Sequence, residues 1–190
     1  MNLRPLIVLL TILLVSACAS MRSGSPYRGQ SEEHRDVARA EALHQQAVAA
    51  IESNPAKAES LFREALQADL YHGPAHNNLG ALLLRRGELY AAAGEFEWAG
   101  KLLPGHPDPR MNLALTLELA GRTDDAIVTY LTALEVYPEH ISTLQALTRL
   151  QVRVGNTDEH TEEYLVTISL RGTTAEWRRW ARLQIARSGR

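Results

Sequence analysis

Residues 73–106 read GPAHNNLGALLLRRGELYAAAGEFEWAGKLLPGH, and residues 107–140 follow at once with PDPRMNLALTLELAGRTDDAIVTYLTALEVYPEH. One 34-residue pattern thus occurs twice with nothing inserted or lost. The alignment pairs Asn78 with Asn112, Leu79 with Leu113, Gly80 with Ala114, Gly87 with Gly121, Ala92 with Ala126, Phe96 with Tyr130, Ala99 with Ala133, Pro104 with Pro138 and His106 with His140. Small residues at Gly80/Ala114, Ala92/Ala126 and Ala99/Ala133 let two helix backbones approach to about 8–10 Å. The aromatic at Phe96/Tyr130 fills the space beside them. Gly87 and Gly121 stand where a first helix needs a left-handed cap, and Pro104 and Pro138 stop the second helix. Asp108-Pro109 and Thr123-Asp124-Asp125 read as helix starts, a cap followed by a first-turn proline or by acids suited to the helix dipole.

A period of 34 carrying Leu-Gly, then Gly, Ala, an aromatic, Ala and Pro in that order resembles the tetratricopeptide repeat (TPR), one helix-turn-helix per repeat. The resemblance implies an all-α, right-handed solenoid over residues 32–172, with repeats at about 39–72, 73–106, 107–140 and 141–172 and a closing helix in 173–190. Helical territory is expected from Glu32, with Val37, Ala40, Leu43, Ala47, Ala50 and Ile51 on one face and Asn54-Pro55 opening the next helix. The first repeat keeps Ala58, Phe62 and Ala65 but has Gln45 and Gln46 in place of Leu-Gly and Leu70 in place of proline; it is either a degenerate repeat or an N-terminal cap. The fourth keeps Leu147, Gly155 and Tyr164, with His160 and Thr167 where alanines are expected. A last helix near 174–186 carries Trp177, Trp180, Ala181 and Gln184 on one side, as the closing element of a solenoid should.

Composition agrees with one all-α domain: 190 residues, 45% hydrophobic, two Phe, and eight Pro placed mostly at helix borders. With 20 Lys+Arg against 22 Asp+Glu the net charge is −2, so no wholesale attraction to nucleic acid follows.

Residues 1–17 read as a signal peptide: Arg4 supplies the positive start, Leu6 to Leu14 an apolar run, and Val15-Ser16-Ala17-Cys18 a small-residue exit. The run is too short to span a bilayer. Its ending resembles the bacterial lipobox, which implies acylation of Cys18, with palmitate among the acyl chains. Cys18 is the chain's single cysteine. At about 0.8 kcal/mol per buried methylene, several chains anchor a protein firmly. Ala19 rather than Asp after the cysteine implies, by the same resemblance, the periplasmic face of the outer membrane. Residues 18–31 form the lipidated start and a Ser-, Gly- and Arg-rich tether reaching roughly 20 Å.

Catalytic and metal chemistry find little support. There is no G-x-S-x-G, phosphate loop or H-E-x-x-H, and no thiol beyond Cys18. His72 and His76 are four apart, but Gly73-Pro74 interrupts a helix between them. His72, His106 and His140 share one repeat position, so successive copies lie roughly 16–20 Å apart, whereas ligands of one metal must converge. No catalytic, cofactor or metal site and no small-molecule substrate is expected.

The resemblance then implies a concave face lined by the first helices, at Asn77, Asn78, Ala81, Leu84 and Arg85, then Met111, Asn112, Leu115, Glu118 and Leu119, then Gln145, Arg149 and Arg153. Asn78 and Asn112 either hydrogen-bond an extended peptide, as an amide that both donates and accepts can, or belong to the repeat pattern alone. Met111, Leu115 and Leu119 are either groove surface or packing. Arg178, Arg179 and Arg182 on the last helix either meet anionic lipid or an acidic partner, or as basic residues toward a helix C-terminus complement that helix's dipole while the tryptophans pack on the fourth repeat. The expected function is a non-enzymatic, membrane-anchored scaffold binding proteins of an envelope machine. It is similar to lipoproteins that assist type IV pilus secretins or gather peptidoglycan enzymes. The alternative is a cell-envelope enzyme or its metal-dependent subunit.

Overall fold

The structure, a computed structural model, describes residues 35–188. The expected signal peptide, lipidated Cys18 and tether lie outside the described residues. Among those described there are nine α-helices and no strand. They are α1 (Val37–Ala50), α2 (Pro55–Ala68), α3 (Gly73–Arg85), α4 (Leu89–Leu102), α5 (Asp108–Leu119), α6 (Thr123–Val136), α7 (Ile141–Val154), α8 (Glu159–Arg171) and α9 (Ala175–Ser188). None is long and apolar enough to cross a membrane.

Helices α1/α2, α3/α4, α5/α6 and α7/α8 pack as pairs, and each second helix packs on the next pair's first. Helix α1 also touches α3, and α3 touches α5, so these first helices lie side by side as an inner layer, while the closest packing is within each pair. The small positions explain the closeness: Ala58, Ala65, Ala92, Ala99, Ala126 and Ala133 are each 0% exposed. A Cβ on Gly80 would lie 2.8 Å from the Phe96 ring, so that ring packs directly against backbone. Gly87, Gly121 and Gly155 close the inner helices at φ 79°, 77° and 72°, in the left-handed region that favours glycine. There the Glu88, Arg122 and Asn156 N–H groups donate back to Leu83, Leu117 and Gln151 carbonyls, closing each turn tightly.

Two expected caps are not used. At α5 the N-cap position falls on Pro107, and Asp108 is already helical. At α6 it falls on Arg122, which ion-pairs with Asp125 at 2.8 Å, while Thr123 opens the helix itself. Helix α1 begins at Val37, capped by Asp36; Glu32 lies outside the described residues.

The fourth pair departs from a gapless 34-residue copy. Its buried positions on α8 are Thr161, Leu165 and Ile168, each one residue later than a strict copy of Ala126, Tyr130 and Ala133 would place them. The extra residue lies after Gly155, and α8 restarts on a capping box between Asp158 and Thr161. Tyr164 is therefore only half-buried, and His160 is exposed instead of filling an alanine site.

Helix α9 closes the core. Ala181 is fully buried, and Trp177 and Trp180, edge to face at 5.4 Å, pack on the cluster that holds Tyr130, Leu147, Leu165 and Ile168. Arg178 donates to the Gly172 carbonyl at 2.6 Å and Arg182 to that of Ser169 at 3.3 Å. Both arginines thus satisfy carbonyls at the end of α8, the preceding helix, rather than complementing the C-terminus of their own.

At the other end Arg35 forks onto Asp69, Nε to Oδ1 at 2.8 Å and Nη2 to Oδ2 at 3.1 Å, and stacks over Tyr71. The Asp36 N–H donates to the Ala68 carbonyl at 2.9 Å. Burial pushes the Asp69 carboxyl up, but hydrogen bonds from Arg35 and the Tyr71 N–H, with the Arg35 charge, outweigh it and hold the group below its ordinary value. A depressed folded-state pKa contributes stability that is full above the unfolded value and lost as pH falls through the folded one. Asp69→Asn should therefore destabilise by about 1–3 kcal/mol at neutral pH. Melting curves should show that deficit shrinking below about pH 4; a deficit independent of pH would mean that the charge is not what matters.

Candidate functional site

The inner layer presents one repeat position in register, at His44, Asn78 and Asn112, 34 residues apart. These amides are engaged with neighbouring helices. The Asn78 amide meets His44 Nε2 at 3.0 Å, and Asn112 Nδ2 donates to Asn77 Oδ1 at 3.1 Å. Both asparagines are half-buried, and an amide has more donor and acceptor sites than these bonds occupy. The inner face is a polar ladder that links repeats and stays accessible.

Further along the layer the apolar positions separate. Met111 and Leu115 are partly buried against the core, whereas Leu119 is 59% exposed. Leu84 is half-buried. The cations do not form one cluster. Arg85 reaches Glu52 at 3.3 Å, while Arg149 and Arg153 converge on Glu118 Oε1 at 2.9 and 3.0 Å.

Glu118 is the hub of the C-terminal half. Its side chain is 4% exposed, and its second oxygen accepts from the Tyr130 hydroxyl at 3.1 Å. Burial first, then the Glu118 charge, pushes the Tyr130 hydroxyl far above its ordinary pKa, so it remains a donor. One carboxylate serves two guanidinium groups, leaving a net positive charge at the groove wall. Beside it an open cavity of about 360 Å³ is lined by Arg149, Thr174, Glu176, Trp177 and Trp180. Sequence reasoning placed Arg149 and Arg153 in the groove but read the tryptophans only as packing. Their spacing from Arg149 in the chain holds no signal of the shared wall.

Histidines occupy the N-terminal end. His72 caps α3: its Nδ1 accepts from the Ala75 N–H at 3.1 Å, so Nε2 carries the proton and donates to Glu41 Oε2 at 3.0 Å. His44 lies beside it, ring centroids 4.9 Å apart. Burial, then the neighbouring His72, holds His44 below the ordinary histidine value against the pull of Glu41. His76 points elsewhere, into the core, to Glu95 and the Leu70 carbonyl. Gly73-Pro74 does not interrupt a helix here: α3 runs through both residues with His72 as its N-cap, the His76 N–H donates to the His72 carbonyl at 3.3 Å, and the two rings part because one caps the helix while the other enters the core. The unforeseen partners of His72 are Glu41 and His44, at different repeat positions.

No protein-family model matches the chain. Over 94 residues, half of its length, it is 29% identical to Tetratricopeptide repeat protein 8 of Mus musculus, of which it spans 18%. Among solved structures it resembles pilF of Pseudomonas aeruginosa, with a TM-score of 0.66 and 20% identity over 73% of this chain and 64% of that one. It also resembles the first TPR of Spaghetti (RPAP3) bound to the HSP90 peptide SRMEEVD, with a TM-score of 0.61 and 15% identity over 64% and 98%. A third is MamA of Desulfovibrio magneticus RS-1, with a TM-score of 0.57 and 21% identity over 78% and 76%. The described chain has the tetratricopeptide-repeat fold.

Proposed function

We propose that the protein is a non-enzymatic adaptor, anchored by lipid on Cys18 at the periplasmic face of a bacterial outer membrane. It binds partner proteins along its inner helical face and positions them in an envelope machine, either pilus and secretin assembly or peptidoglycan enzymes. The observation that carries this reading is the inner face itself. The half-buried Asn78 and Asn112, the exposed Leu119 and the Arg149–Arg153 wall lie on the first helices, each held to its pair partner by tight alanine contacts. Such a face offers an extended segment polar, apolar and cationic grips in turn, on a support that needs no ordering when the segment binds. The likeness to pilF and to a TPR solved with a peptide supports the same direction.

The test places a photo-crosslinking residue at Leu119 on the inner layer or at Val128 on the outer helix α6, positions of matched exposure at 59% and 60%. A discrete envelope partner should be captured from Leu119 and not from Val128. Equal capture from both positions would remove the groove. In the same cells Cys18→Ser should release the protein from outer-membrane fractions, and membrane partition that survives the change would remove the anchor.

A further inference from the structure

We propose that Glu41, His44 and His72 form a binding site for a divalent transition metal, with zinc the ion that fits best. One ligand atom from each residue lies within 4.8 Å of the others. Two imidazoles and a carboxylate are a donor set that zinc accepts, with ligand bonds of about 2.0–2.2 Å and a fourth position for water. Ligands around a tetrahedral ion sit about 3.4 Å from one another, so the cluster must close by roughly an ångström. Glu41 Oε2 already stands 3.0 Å from His72 Nε2, so the closure is between that pair and His44; the Glu41 side chain, 51% exposed, can follow by changing rotamer, and its exposure gives an ion a way in.

The bonding of each histidine supports the assignment. In His44, Nε2 is engaged with the Asn78 amide, whereas Nδ1 is buried without a hydrogen-bond partner. A buried polar atom left without a partner calls for an explanation, and an ion at Nδ1 provides one. Ligation there leaves the proton on Nε2, so the Asn78 amide, whose Nδ2 now faces that nitrogen at 3.0 Å, turns over to present its oxygen and supplies the outer hydrogen bond that orients a ligating imidazole.

In His72 only Nε2 is open to a metal, and ligation there moves the proton to Nδ1. That ends the bond from the Ala75 N–H. The loss is tolerable because α5 and α7 begin at comparable points with no side-chain cap, and Pro74 already presets the first turn of α3. The ion would join α1 of the first repeat to the start of α3 in the second and, through Asn78, set the N-terminal edge of the inner face. Sequence spacing hid the site, because it is assembled across repeats from non-equivalent positions.

The test uses the full-length chain in detergent, stripped of metal, and titrated at neutral pH with zinc against a chromophoric chelator and with cobalt by absorption. One ion per chain and a tetrahedral cobalt spectrum are expected. Glu41→Gln and His44→Gln should each weaken binding by at least about 10–100-fold, and His106→Gln should leave it unchanged. Zinc should also shift the Ala75 amide resonance, since that N–H loses its acceptor. If His44→Gln compromises folding, Glu41→Gln decides the matter, because its side chain is half in solvent. Affinity weaker than about 100 μM, binding indifferent to both substitutions, or an unmoved Ala75 amide would each overturn the assignment. Partner capture from Leu119 is read separately, so failure of the metal site leaves the adaptor reading standing.

Discussion

Glu95→Ala should lower stability by about 3–5 kcal/mol, the cost of breaking a buried ion pair by removing one partner. His76 is 0% exposed and Glu95 6%, with Nδ1 and Oε2 2.6 Å apart. The other ring nitrogen faces the Leu70 carbonyl at 2.8 Å, and the ring stacks on Trp98 with centroids 5.5 Å apart. Both ring nitrogens thus meet a buried oxygen, so the ring and the carboxyl group satisfy each other in the core. The pair ties α3 to α4 and to the end of the preceding turn. Removing the carboxylate takes away the acceptor that faces Nδ1, and at about 2–4 °C per kcal/mol the melting temperature should fall by roughly 10 °C. The double replacement His76→Leu with Glu95→Leu should cost much less, because exchanging both members of a buried pair for apolar groups is often near neutral. Melting curves of single and double variants decide it. If Glu95→Ala shifts the midpoint by less than about 2 °C, the pair contributes little.

This pair also shows where the sequence stops being readable. Repetition marks positions whose role is the same in every copy, and those were legible: Ala92 and Ala126 at the crossings, Phe96 and Tyr130 beside them, Gly87 and Gly121 at the left-handed caps. His76 and Glu95 have no counterparts in the next repeat, where Arg110 and Thr129 stand 34 residues on. Nothing periodic therefore points to them. The same limit hid the Glu118 hub, whose partners come from α6 and α7, and the His72 cluster, which joins positions that the repeat treats as different.

The fourth pair failed to align for a more local reason. Tyr164 offers an aromatic at the spacing of Phe96 and Tyr130, so a gapless copy looks satisfied. Burial chooses Leu165 instead, at 2% exposure, because the Asp158–Thr161 capping box delays the start of α8. Cap positions were misread at Asp108 and Thr123 because a proline or a tight glycine turn already sets the helix start, leaving the first N–H groups to solvent rather than to a side chain.

Ala126→Trp tests the packing that every repeat shares. Ala126 is 0% exposed on α6, in the cluster with Ala114, Tyr130, Leu147 and Leu165. An interior packed at crystal-like density has no space for an indole. Overpacking by a few methylenes costs about 1–3 kcal/mol, so a whole bicyclic ring at a helix crossing should cost at least about 3. Because each repeat of a solenoid contacts only its neighbours, the damage should be local. Hydrogen exchange should show α5, α6 and α7 losing protection first, while α1 and α2 keep theirs. Ala91→Trp, on the exposed side of α4, is the control and should lie within about 0.5 kcal/mol of the parent. Equal melting of the two variants would mean that α6 does not meet α5 at Ala126. Loss of protection spread evenly over all the helices would mean that the pairs fold as one cooperative unit rather than as coupled neighbours.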